Sequence, residues 1–251
     1  MDLEIMGFLA LFGFIGAFID AAVGGGGLIT IPALMWTGLP PVTVLGTNKV
    51  AASMGSVFSF LTFIRAGKMD IALMKRLCPL SLIGSFAGVL LVQHMSSEFL
   101  RPLIIIMLVL VFLYTLFKKD WGKESRPQTI TGKKMLLCLI MAFALGFYDG
   151  FFGPGTGSFI LFGFIMLGFD FIFATGNAKA MNFASNIAAA VLFSCFGSVD
   201  FTYAIPMGVF MILGAIAGSK VAITKGVSYI RPLFIIVTAV LIGKQIMTMI
   251  E

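Results

Sequence analysis

Two apolar segments, Ile71–Val92 and Phe99–Phe117, follow one another with few polar breaks, and others recur at Met135–Phe147, Phe201–Ala217 and Ile230–Ile242. About 20 such residues in a helix cross the hydrocarbon of a bilayer, and inside it every backbone N–H and C=O must be satisfied internally. The chain therefore reads as an all-α polytopic membrane protein. Composition agrees: 59% of its 251 residues are hydrophobic and 11% charged, against roughly 45–50% and 25% in soluble domains. No soluble domain is left to carry chemistry. The opening "MDLEIM" lacks the positive charge of a signal peptide, so the first apolar segment reads as retained.

A net charge of +6 would point to nucleic acid in a soluble protein. Here Lys and Arg concentrate in a few loops, which is how membrane proteins set their orientation, and no nucleic-acid partner is expected. Cys78, Cys138 and Cys195 stand far apart in or beside apolar segments, which suits packing rather than a metal cluster or a disulfide framework.

The chain is also a tandem duplication. A shift of 130 places superposes Gly27 on Gly157, Gly38 on Gly168, Gly46 on Gly176, Lys49 on Lys179, Ser56 on Asn186, Asp70 on Asp200, Gly84 on Gly214 and the "RPL" at Arg101 on the "RPL" at Arg231. Asp20 and Asp149 match at a shift of 129, one residue having been added in "GPGTG" relative to "GGGG". The repeats are residues 1–117 and 135–251, joined by the polar linker 118–134.

Orientation follows from the basic residues. The linker carries six Lys/Arg and is expected in the cytoplasm, and two spans back Arg65–Arg76 carries four more. Lys220–Arg231, with three, joins them only if the second half crosses an odd number of times. That count predicts inverted repeats with both termini outside.

Each half then has three spans, in the first Val42–Ile64, Ile71–Val92 and Phe99–Phe117, preceded by an apolar stretch, a glycine tip and a short apolar stretch. The short pieces, Leu28–Thr37 and Ser158–Leu167, reach only about 15 Å and cannot span alone. Each unit reads as a re-entrant hairpin or broken helix whose tip, Gly24, Gly25, Gly26 and Gly27 or Gly153, Gly155, Thr156 and Gly157, lies near the midplane. Paired glycine-interrupted segments at corresponding positions of an inverted repeat point to a transporter's binding site. The first N–H groups of a half-helix favour an anion; close packing of helices on small residues is the competing explanation.

The next helix of each half supplies side chains on one face: Lys49, Ser53 and Ser56 at i, i+4 and i+7, and Lys179, Asn182 and Asn186 at i, i+3 and i+7. A lysine about 10 Å inside a span costs about 2.5–3.5 kcal/mol and either faces a cavity or snorkels to the interface. Amide and hydroxyl donors beside it make an anion-binding set. Asp20 and Asp149, just before the tips, either pair with a lysine, titrate and couple protons, or cap their own hairpins. Arg101–Pro102 and Arg231–Pro232 read as span starts with proline in the first helical turn. His94 reads as interfacial. No Ser/His/Asp or metal constellation and no nucleotide motif is present, so neither cofactor nor ATP is expected, and nothing specifies an oligomeric state.

The segments "GFIGAFIDAAVGGGGLITIPAL", "LGTNKVAASMGS", "GFYDGFFGPGTGSFILFGF", "ATGNAKAMNFASN" and the twin "RPL" are similar to those of the TauE/SafE-type sulfite exporters, also called the 4-toluene sulfonate uptake permease family, closest to its YfcA-like group. The resemblance covers essentially the whole chain. It implies a bacterial inner-membrane permease for sulfur-containing anions such as sulfite or organosulfonates, often moving them outward. By motif match it implies roles for Asp20, Gly24–Gly27, Asn48 and Lys49 in the first half and Asp149, Gly153–Gly157, Lys179, Asn182 and Asn186 in the second. The expected function is secondary transport of a small anion by alternating access; an anion channel, or an intramembrane protease using Asp20 and Asp149, are the other classes open to such a sequence.

Overall fold

The computed structural model describes residues 3–117, 130, 132–225 and the isolated positions 236, 239, 240 and 247. Most of the linker 118–134, the "RPL" at Arg231 and nearly all of the expected last span lie outside the described residues. Among the described residues are helices α1 (Leu3–Val23), α2 (Gly27–Met35), α3 (Pro41–Arg65), α4 (Ile71–Gln93), α5 (Ser97–Phe117), α6 (Lys133–Phe151), α7 (Thr156–Met166), α8 (Phe171–Cys195) and α9 (Phe201–Lys225). The order long, short, long, long repeats from α6. Five of them, α1, α4, α5, α6 and α9, are long and apolar enough to cross a membrane. The helices α3 and α8 have the length, 25 residues each, but their Lys, Asn and Ser residues keep them out of that set. Large apolar side chains face outward, as in Leu110 (59% exposed) and Leu136 (58%). Lipid is the solvent that suits such a surface.

Helix starts follow from local chemistry. Pro41 opens α3, where its missing N–H is not needed. The carboxylates of Asp70 and Asp170 accept from the first free N–H groups of α4 and α8. Two expected boundaries move. Pro102 sits in the second turn of α5, since that helix already starts at Ser97. The last described helix continues through Lys225, so Lys220 and Lys225 lie on its final turns rather than in a loop after residue 217.

Helix packing follows a recurring pattern. Against α9 lies α1, and against α4 lies α6; α3 packs on α9 as α8 does on α4, and α3 and α8 pack on one another. Exchanging the halves maps these contacts onto themselves, as a twofold relation does. Detail agrees: Gly84 and Gly88 of α4 meet the Phe143 and Phe147 carbonyls of α6, as Gly214 and Gly218 of α9 meet those of Phe14 and Phe18 in α1. The Asp70 N–H donates to the Asn177 side chain, and the Asp200 N–H to the Thr47 hydroxyl, both at 2.9 Å.

Each short helix folds back on the long one before it. In the first half Gly26 N–H reaches Asp20 at 3.2 Å, Thr30 lies over Gly16, and the Phe8 and Trp36 rings stack at 4.6 Å. In the second half the Tyr148 hydroxyl donates to the Pro154 carbonyl at 2.7 Å, the Tyr148 and Phe159 rings meet at 5.5 Å, and Met141 covers Gly163. At 21 residues α1 extends about 31 Å, whereas α2 at 9 extends about 13 Å. The two glycine tips meet, with the Ser158 hydroxyl donating to the Val23 carbonyl at 3.0 Å.

Candidate functional site

The turn geometry of each tip demands glycine. Gly24 (φ 79°) and Gly155 (φ 83°) are left-handed, and a side chain on Gly24 would run into the backbone of Gly157 and Ser158. Gly25 and Gly153 share that backbone form. The starts of α2 and α7 are thereby brought together between α3 and α8.

There the four charged residues form two ion pairs, each joining one half to the other. Lys49 Nζ lies 2.8 Å from Asp149 Oδ1, with side chains 3% and 2% exposed. Lys179 Nζ lies 2.9 Å from Asp20 Oδ2, and there the aspartate is 25% exposed. The lysines therefore do not snorkel. Removing one partner of such a buried pair leaves a charge without compensation.

The pairs are equivalent in sequence but not in surroundings. Lys49 also donates to Asn186 Oδ1 at 3.1 Å, and Asn186 Nδ2 donates to Asn182 Oδ1 at 3.0 Å. Lys179 instead donates to both the carboxylate and the backbone carbonyl of Asp20. Asp20 Oδ1 meanwhile accepts from Gly26 N–H, so this aspartate pairs and caps at once. Asp149 Oδ2 is buried and has no partner, and neither has Asn48 Oδ1.

A cavity of about 40 Å³ opens at this meeting point, lined by Ala17, Asp20, Gly26, Gly27, Thr30, Asn48, Lys49, Ala52, Gly55, Ser56, Ser59, Asp149, Gly153, Gly155, Gly157, Asn182, Asn186, Met211 and Ala215. That is room for about three waters. Twelve of the seventeen residues expected from sequence to form the site line it. The exceptions are instructive. Ser53 turns its hydroxyl to the Val50 carbonyl, Thr156 caps its own tip by donating to Gly153, Gly24 and Gly25 shape the turn, and Lys179 lies behind Asp20. On α3 the lining positions 48, 49, 52, 55, 56 and 59 centre on Ala52 rather than on Lys49, and at about 100° per residue that rotates Ser53 away. Sequence reasoning missed Thr30, Ser59 and the small residues of α1, α3 and α9. Only Ser59, at i+10 from Lys49, carried a polar signal along the helix.

The cavity sits on one side of the twofold relation. Where α4 meets α8, Ser81 and Ser85 donate to the Met181 and Ser185 carbonyls at 3.1 and 2.7 Å, and Gly146 and Gly150 of α6 press on Ser81 and Ser85. The counterparts of Ser81 and Ser85 are Met211 and Ala215 of α9, both on the cavity wall.

Among the described residues no group of His, Cys, Asp and Glu could hold a metal ion. Cys78, Cys138 and Cys195 are separate free thiols, and His94 closes α4 with its Nδ1 2.7 Å from the Leu90 carbonyl.

The model of the family described as "Sulfite exporter TauE/SafE" matches residues 9–244. A "Probable membrane transporter protein" of Haemophilus influenzae is 38% identical over 98% of this chain and 96% of its own length. The "Probable membrane transporter protein YfcA" of Escherichia coli K12 is 39% identical over 96% and 89%, and YdhB of Bacillus subtilis, also named a probable membrane transporter, is 25% identical over 84% and 86%. No solved structure matches. With a multi-pass apolar helical fold and a match over nearly all its length, the chain belongs to the TauE/SafE sulfite exporter family of membrane transporters.

Proposed function

We propose that this protein is a secondary transporter exporting small sulfur-containing oxyanions, sulfite first among them, across the bacterial inner membrane by alternating access between inverted halves. The observation that carries the reading is the cavity where two glycine-tipped half-helices, a buried lysine and three asparagines converge. Half-helix starts and a cation beside amides are the donors an oxyanion needs. A cavity of about 40 Å³ suits an inorganic oxyanion; an organosulfonate with a larger body requires it to widen. The family description, sulfite exporter, supports the same substrate class. Inverted halves put the linker and the basic ends of α3 and α9 on the cytoplasmic side and the termini outside. Outward movement of net negative charge is helped by the inside-negative potential, worth about 2.3 kcal/mol per net charge per 100 mV.

Carriage is preferred to a channel, because a channel needs a continuous polar path and the cavity holds only about 40 Å³. Peptide hydrolysis is disfavoured by the carboxylates themselves, each held by a lysine of the other half rather than sharing a proton as a catalytic dyad does. The test is uptake of a panel of small anions by purified protein in liposomes. Saturable sulfite transport accelerated by sulfite on the opposite side supports the reading; unsaturable flux without such acceleration means a channel, and no anion flux by folded protein overturns it.

A further inference from the structure

We infer that Asp149 is the proton carrier of this site: one proton binds it as the anion takes Lys49 from it, while Lys179 and Asp20 stay paired. The inference rests on the anion-transport reading and adds its coupling ion. The described titratable groups around the cavity are Asp20 from α1, Lys49 from α3, Asp149 and Tyr148 from α6, and Lys179 from α8, with none from α2, α7 or the facing turns of α9. Tyr148 is engaged with the Pro154 carbonyl. Two lysines against two carboxylates sum to no charge, so an anion entering alone would put an uncompensated charge into a buried site, a costly state. A proton arriving with it restores balance.

The geometry selects Asp149 over Asp20. Both carboxylate oxygens of Asp20 are occupied, by Gly26 N–H and by Lys179, and Lys179 is also held by the Asp20 carbonyl. That pair ties the first tip to α8 and has little to exchange. Asp149 has only Lys49 on one oxygen, while the other is buried with no partner. Lys49 has a second anchor in Asn186 to hold it in place when the carboxylate lets go. The step balances simply: a proton from water adds to the Asp149 carboxylate, its ion pair to Lys49 opens, and a Lys49 N–H donates to the anion; on the far side the order reverses. A dianion then crosses with one net negative charge and a monoanion with none.

The experiment measures binding of sulfite and of methanesulfonate, whose charge is constant over the range, by thermal stabilisation of the whole protein in detergent between pH 5.5 and 8. One proton per anion makes binding tighten up to about tenfold per unit fall in pH. Asp149→Asn loses the pH slope of methanesulfonate binding and the sulfite accumulation driven by a pH gradient, and Asp149→Glu, which returns a carboxylate, recovers both. Asp20→Asn keeps the slope. A methanesulfonate slope that survives in Asp149→Asn, or one abolished by Asp20→Asn in a folded protein, overturns the assignment, as does a wild type whose methanesulfonate binding is pH-independent. Failure of the wild type to bind or move either anion instead defeats the transport reading on which the assignment rests.

Discussion

The seam that joins α4 and α6 to α8 is closed, whereas its counterpart, joining α9 and α1 to α3, contains the cavity. The backbone plan is shared, down to glycines that meet the same phenylalanine carbonyls. What differs is a handful of side chains. The closed seam has Gly146 and Gly150 against Ser81 and Ser85, whose hydroxyls bond to α8; the open one has Ala17 and Ala21 on α1 and Met211 and Ala215 on α9. The two seams share a backbone arrangement, and the small side chains along them decide where the space lies. Under the proposed alternating access the open seam would close in turn, and with Met211 and Ala215 it would do so without the serine bonds.

The largest effect expected tests whether the cavity side is the working side. Lys49→Ala strands a buried carboxylate, abolishes sulfite uptake in liposomes and costs about 3–5 kcal/mol of stability; Lys49→Ala with Asp149→Ala recovers stability in thermal unfolding but not transport. A single variant as stable as wild type would mean that the pair is not buried as described. Next, Gly150→Ala should wedge the closed seam at the Ser85 carbonyl and lower stability by about 1–3 kcal/mol, while Ala21→Gly, its counterpart, costs only about 1 kcal/mol. Thiol labelling compares equivalent depths directly. In a protein with Cys78, Cys138 and Cys195 replaced, Ser59→Cys on the cavity wall should react at least about ten times faster with a small thiol reagent than Ala189→Cys, which is also buried but off that wall. Equal rates would erase the asymmetry. Smallest, Ser85→Ala should cost about 1 kcal/mol through its lost bond to α8, whereas Ser53→Ala, bonded only within its own helix, stays within about 0.5 kcal/mol.

Much of this was legible in the chain. Helical spans follow from hydrophobicity, the duplication from matched residues, and the tips from glycines that apolar helices do not otherwise need. Lysines and aspartates in greasy sequence marked the site, because an ionisable group there requires a partner or a cavity. Which lysine takes which aspartate was not legible. Both pairs join residues on separate repeats, and only the folded packing of α3 on α8 brings them together. Nor was the wall of Ala17, Ala52, Gly55 and Ala215, since small apolar residues look alike whether they line space or pack a helix. The rotation of α3 that turns Ser53 away is set by neighbours of that helix, not by its own spacing.

The crossed pairing also has a cost during synthesis. Lys49 and Asp20 belong to the first repeat, and their partners, Asp149 and Lys179, are made only later. At ordinary elongation rates of about 5–20 residues per second, Lys49 waits about 5–20 s for Asp149 to emerge. For that interval the newly inserted first repeat holds an acid and a base that the finished molecule pairs elsewhere, so some provisional contact, with each other, with lipid headgroups or with the insertion machinery, has to shelter them until the second repeat arrives.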